Sequence, residues 1–145
     1  MKGIKMHVND PRVAEYTAEL IELITGGSER DMYDRAKIDE LFENVHVRDG
    51  LMIHAIKDES EEEFVSMLLQ YIDSADDASP LAPAATVASI LAYLAGNDDL
   101  SKMLLGVAIT NNEHYSLAGL FVRITQICDA NATRLLILDS QKMIG

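Results

Sequence analysis

Between Ala84 and Ile127 the chain repeats one pattern three times: an apolar stripe at helical spacing, then a short polar break. Val87, Ile90, Leu91 and Leu94 form the first stripe. Ala84, Ala85, Ala88, Ala92 and Ala95 lie among them, and alanine favours helix while letting a neighbouring helix come close. Gly96 supplies the residue that readily takes positive φ at a helix end. Asp98 or Asp99 is placed to cap a second helix, with Leu100, Met103, Leu104 and Val107 on one face. After Asn111-Asn112-Glu113 a third stripe follows: Leu117, Leu120, Phe121, Ile124, Ile127 and Cys128. Breaks this short fold consecutive helices back on each other. The pattern therefore predicts an antiparallel hairpin followed by a third helix; the hairpin resembles a tetratricopeptide unit in outline. A small residue at Ala92, Ala95, Gly106 or Ala108 would let the backbones pack closely.

The same reading extends upstream. Residues 1–9 are expected to be an irregular arm, in which Lys5–Val8 is a short strand candidate. Asp10-Pro11 starts a helix, with an acid at the N-cap and proline at the first turn. Its stripe is Val13, Thr17, Leu20, Ile21 and Ile24, and Gly26-Gly27 stops it. Ser28 with Asp31 is a weak capping pair before a polar turn or linker. Ile38, Leu41, Phe42 and Val45 predict a short helix from about Lys37, and Leu51 to Ile56 a separate one over 47–57. Ser60 and Glu63 make a capping box for a helix carrying Phe64, Met67, Leu68, Tyr71 and Ile72. Residues 73–80 are a polar connection. Asn131 is placed to cap a last helix in which Leu135, Leu136, Ile137 and Leu138 are consecutive. Such a helix is apolar nearly all round, so the domain or a second copy must cover it on several sides; these four residues are the candidate oligomer contact.

The expected fold is all-α: an arm over 1–9, then one helical domain over 10–145, a compact bundle of about six or seven short helices. A hydrophobic share of 48% over 145 residues supports a single buried core. The net charge of −12 is unevenly spread. From Asp58 to Ser101 there are ten acids (Asp58, Glu59, Glu61, Glu62, Glu63, Asp73, Asp76, Asp77, Asp98 and Asp99) and no Lys or Arg. Such a field repels phosphate backbones and anionic lipid, which argues against direct nucleic-acid or membrane binding. It reads as a solvated face, or as an acidic surface that attracts a basic protein. The capping box gives the three glutamates of that run a local structural reason as well.

Candidate chemistry is thin. Cys128 is the single cysteine, so no internal disulfide forms, and its place on an apolar stripe predicts a buried, inert thiol. Glu43-Asn44-Val45-His46 matches a carboxylate-metal motif, but the second motif and the further glutamates of a di-iron bundle are missing. His54 is expected to be a partly buried, hydrogen-bonded side chain, and Tyr115 a packing residue at a helix start. The sequence contains no phosphate loop, nucleophile elbow, His-Glu-x-x-His or Cys-x-x-Cys. No catalytic residue, metal ligand or cofactor is therefore assigned. No apolar run approaches transmembrane length and no signal-peptide core opens the chain, so a cytoplasmic location is expected.

Two stretches carry a family resemblance. Ala85-x-x-Ala88-x-x-Leu91-Ala92-x-Leu94-Ala95-Gly96 and His114-Tyr115-Ser116-Leu117-Ala118-x-Leu120 flank a hydrophobic helix. Together they resemble the C-terminal helical part of the domain of unknown function 4192 family of bacterial and phage proteins. Val47-Arg48-Asp49-Gly50-Leu51 is similar to a helix start of the same family. The resemblance covers roughly residues 37 to 128; the family's strand-rich N-terminal segment is expected to be missing, and no glycine follows Asp98. It implies a helical fold and, because the Arg-Asp pair recurs, a structural ion pair or cap at Arg48 and Asp49. It implies no activity.

Two functional expectations follow. The first is a non-catalytic helical interaction module, an adaptor or oligomerising protein whose partner is another protein or a second copy. The alternative is an acidic, phage-encoded inhibitor that docks on a basic nucleic-acid-binding protein through Asp58, Glu59, Glu61, Glu62, Asp73, Asp76, Asp77, Asp98 and Asp99.

Overall fold

One helix, α5 (Ala82–Leu94), is buried on almost every side, and the other helices are arranged about it. The computed structural model describes residues 10–26, 32–76 and 78–144. The expected arm and strand over 1–9, the Gly27 stop, the Ser28–Asp31 cap and Asp77 lie outside the described residues. Within them the chain is all-α, with eight helices rather than six or seven: α1 (Pro11–Thr25), α2 (Met32–Phe42), α3 (Val45–Lys57), α4 (Glu61–Asp73), α5, α6 (Asp98–Asn111), α7 (Ser116–Ile127) and α8 (Ala130–Ile144). None of these helices is long and apolar enough to cross a membrane.

The extra length comes at α2, which begins at Met32 rather than near Lys37. Arg35, Ala36 and Lys37 are strong helix formers, and Asp34 suits the positive end of the helix, so a polar segment joins the helix without an apolar stripe. Likewise α3 starts at Val45, because Asn44 caps it, its Oδ1 accepting from the amides of His46 and Val47. Asp49 is therefore mid-helix and caps nothing.

Several helix ends differ from expectation in the same way: a nearer side chain does the work. Asp10 caps α1 as predicted, accepting from the Arg12 amide at 2.9 Å. For α6 the cap is Asn97, not Asp98 or Asp99. For α8 it is Asp129 rather than Asn131, its Oδ1 accepting from the Ala132 amide at 2.8 Å. Ser60 makes no side-chain cap. The residues before it close α3 instead: the amides of Ser60 and Glu59 bond to the carbonyls of Ala55 and Ile56, with Glu59 at φ +55. Gly96 (φ +86) and Asn97 close α5 in the same pattern, bonding back to Tyr93 and Ala92.

Helices α5 and α6 run antiparallel. Asn111 Oδ1 accepts from the Ala82 amide at the far end, and Ser89 and Ser101 lock the middle. Each serine hydroxyl donates to the other's carbonyl, at 2.6 and 2.8 Å, so two polar side chains are buried without loss. The inward face of α6 is Ser101, Leu104 and Ala108. Met103, expected in the stripe, is exposed, and Gly106 sits in open space rather than in a close contact. Of the other small residues, Ala92 and Ala108 are buried, and a further tight contact falls at Gly50 of α3, where a Cβ would come within 2.7 Å of Thr17 Oγ1 on α1. On the other side of α5, Tyr93 meets Phe121 edge to face, and its hydroxyl donates to the Cys128 carbonyl at 2.8 Å.

Candidate functional site

The chain's breaks leave α7 and α8 as a cover on one side of α5, and the cover does not close. A groove of about 440 Å³ runs between them and α3. One wall is α3, with Arg48, Asp49, Met52 and Ile53; Ile90 of α5 lies at the floor. The opposite wall is α7, with Leu117, Leu120, Phe121 and Ile124, and α8 adds Thr133, Leu136 and Ile137. Phe121 and Ile137 pack into the core, whereas Leu120 is 48% exposed and Leu136 47%. Two further large apolar side chains on these helices face out, Leu135 at 61% and Ile127 at 84%.

The third stripe is therefore two stripes. Ala118 and Phe121 turn inward and are buried, while Leu120 and Ile127 turn outward. The run 135–138 divides similarly: Ile137 and Leu138 pack against the core, and Leu135 and Leu136 do not. Cys128 is half-buried at the end of α7, not fully buried.

The charged groups at the groove, Arg48 and Asp49, are spent on each other and on Tyr115. Arg48 is 9% exposed, and its Nε donates to Asp49 Oδ1 at 2.9 Å while Nη2 approaches the same oxygen at 2.8 Å. Its Nη1 donates to the Tyr115 hydroxyl oxygen at 2.9 Å. Burial pulls the guanidinium pKa down, but the charge of Asp49 and the bond to Tyr115 outweigh it and hold the group above its ordinary value. The expected Arg48–Asp49 ion pair is thus present. Its third member, Tyr115, reads in the sequence as packing alone. The Tyr115 ring does pack, against Ala85, Ala108 and Ala118, so the residue ties the end of α6 and the start of α7 to α3. The side-chain oxygen of Thr133 is buried and has no hydrogen-bond partner among the described residues.

The acids of the base-free run do not share one face. Glu61 is 8% exposed and bound to Arg134 at 2.7 Å, and Arg134 also donates to the Leu94 carbonyl. It is a structural ion pair between α4 and α8, not part of an acidic contact surface. Asp58, Glu59, Glu62 and Glu63 are exposed around the start of α4, where Glu59, Glu62 and Glu63 share a shallow depression with Ala95. Asp98 and Asp99, exposed in the first turn of α6, follow three residues after Ala95. Asp73 and Asp76 are exposed beyond the other end of α4, about 20 Å away along a 13-residue helix. There Asp76 and Glu43 face Asp39, whose carboxyl is pushed up to about 6, by burial first and by those neighbouring charges against the pull of Arg35.

The remaining candidates do not converge. Glu43 lies in the turn before α3 and His46 in its first turn, so the two do not share one helix face. No group of three metal-ligating side chains occurs among the described residues. His54 is exposed, with its ring edge-on to Phe64 rather than partly buried in a hydrogen bond.

The model of the family described as Domain of unknown function (DUF4192) matches residues 6–129. That is most of the chain, which therefore belongs to this family. The match reaches upstream of the resemblance read from 37 to 128, through α1 and α2. No curated protein and no solved structure matches.

Proposed function

We propose that this member of the family is a non-catalytic helical interaction module and that the groove between α3, α7 and α8 receives a protein partner. The observation that carries the reading is the exposure of Leu120 and Leu136 on either side of an apolar channel. Contiguous exposed apolar surface of this kind marks contact sites. The buried floor of α5 and the self-satisfied Arg48–Asp49–Tyr115 cluster suit it to binding, since the charged groups at the groove are already paired. The α5–α6 pair, which we liken to a tetratricopeptide hairpin, provides the scaffold. The acidic-inhibitor alternative is less favoured, because the acids are divided between two ends and Glu61 is consumed in an ion pair.

Affinity co-purification of the full chain tests the reading. Proteins retained by the wild type should be lost with Leu120→Glu and Leu136→Glu combined, and kept with Ile109→Glu, an exposed apolar position on α6. An identical retained set from all three chains would contradict it.

A further inference from the structure

Resting on the reading of the groove as a protein contact, we infer that its occupant is a second copy of this chain, joined α7–α8 to α7–α8 about a two-fold axis. Spacing and charge carry the inference.

Leu117, Leu120, Ile124 and Ile127 step by three, four and three along α7. This is the spacing of a helix-pairing seam, in which apolar side chains of one helix insert between those of another. The first three line the groove, and Ile127 extends the seam beyond it almost fully exposed. Leu117 also packs against the core, whereas Leu120 and Ile127 lie outside the face α7 already uses inside the domain through Ala118 and Phe121. A helix carrying a second, outward seam matches a helix from outside, and Leu135 and Leu136 widen the surface beside it.

Charge selects which helix. The chain carries −12, so two copies repel across most orientations. From His114 to the end there are two acids, Asp129 and Asp139, and three bases, Arg123, Arg134 and Lys142; the rest of the chain holds twenty-two acids and nine bases. The groove itself holds one charged pair, Arg48 and Asp49, closed on itself. A basic partner would be drawn to the acid-rich ends of α4. A strongly acidic chain meets its own copy with least repulsion at α7 and α8, and a two-fold contact sets the same patch against itself.

Sedimentation equilibrium of the full chain over the micromolar range tests this. The wild type should show a reversible dimer. Leu120→Glu or Leu136→Glu should weaken it by roughly tenfold or more, and Ile109→Glu should leave it unchanged. Mixing Leu120→Glu chains with Leu120→Lys chains should restore association, which also excludes unfolding as the cause of loss. A monomer at the highest concentration, or a dimer insensitive to both groove substitutions, overturns the inference. If the chain is monomeric but groove substitutions still strip a different protein from it, the second-copy inference fails and the contact reading stands. If they strip nothing, both fail.

Discussion

Arg48 and Tyr115, sixty-seven positions apart, meet at 2.9 Å, with the guanidinium donating to the phenolic oxygen. The bond joins the first half of the domain to the α6–α7 junction at the edge of the groove. Tyr115→Phe keeps the ring's packing and deletes only the acceptor. Removing one partner of a buried charged group should lower stability by about 1–2 kcal/mol. Arg48→Lys should fare no better, because an ammonium cannot reach Asp49 and Tyr115 with one planar fork. Urea denaturation checks both, and a Tyr115→Phe midpoint equal to wild type would contradict the assignment.

The α1–α3 crossing depends on a missing methyl group. Gly50→Ala drives a Cβ to within 2.7 Å of Thr17 Oγ1. Overpacking of about 1–3 kcal/mol should exceed the roughly 1 kcal/mol that alanine gains over glycine inside a helix. In a Thr17→Ala background the clash is gone, and the same Gly50→Ala change should become stabilising by about 0.5–1 kcal/mol. A double-mutant cycle by chemical denaturation reads the sign change; additivity would refute the contact.

Two helix ends share one geometry but not one residue. Glu59 sits at φ +55 and Gly96 at φ +86. A side chain in the left-handed region is strained, so Glu59→Gly should raise stability by roughly 0.5–1 kcal/mol, and Gly96→Ala should lower it by about 1 kcal/mol. Thermal melts of the two variants should move in opposite directions.

Asp39 predicts a pH dependence. Its carboxyl titrates near 6 in the folded chain against 3.8 in the reference state, so the folded chain holds the proton more tightly. Stability from this group is therefore greatest below the lower value, falls as pH rises through about 6, and is fully lost above it. Asp39→Asn should stabilise by about 1 kcal/mol near pH 8, after allowance for solvent screening, and the gain should vanish near pH 4. A gain independent of pH would contradict it.

The hydrophobic pattern placed a stripe in each of the eight described helices, against the six or seven expected for the bundle, because burial imposes helical spacing, and α5, apolar all round, was legible as the centre. It could not assign direction to a wide stripe. Leu117 through Ile127 reads as one face, yet a 12-residue helix with seven apolar positions can bury some and present others, and only the packing of α3 and α8 decides which. Polar pairs were less visible still. The mutual bonds of Ser89 and Ser101, and of Glu61 and Arg134, join positions whose partners lie on other helices, and no local spacing marks them. For Tyr115 a signal did exist: two of the three stretches similar to the family, Val47–Leu51 and His114–Leu120, contain Arg48 and Tyr115, and those stretches touch.

The most direct measurement of the central claim is photo-crosslinking in living cells, with a photoreactive residue at Leu120, at Leu136 or at Ile109 as control. Occupation of the groove predicts protein adducts from the first two positions and none from the third, with the Leu120 adduct abolished by Leu136→Glu. Equal labelling at all three positions, or no protein adduct from Leu120 and Leu136, would contradict it.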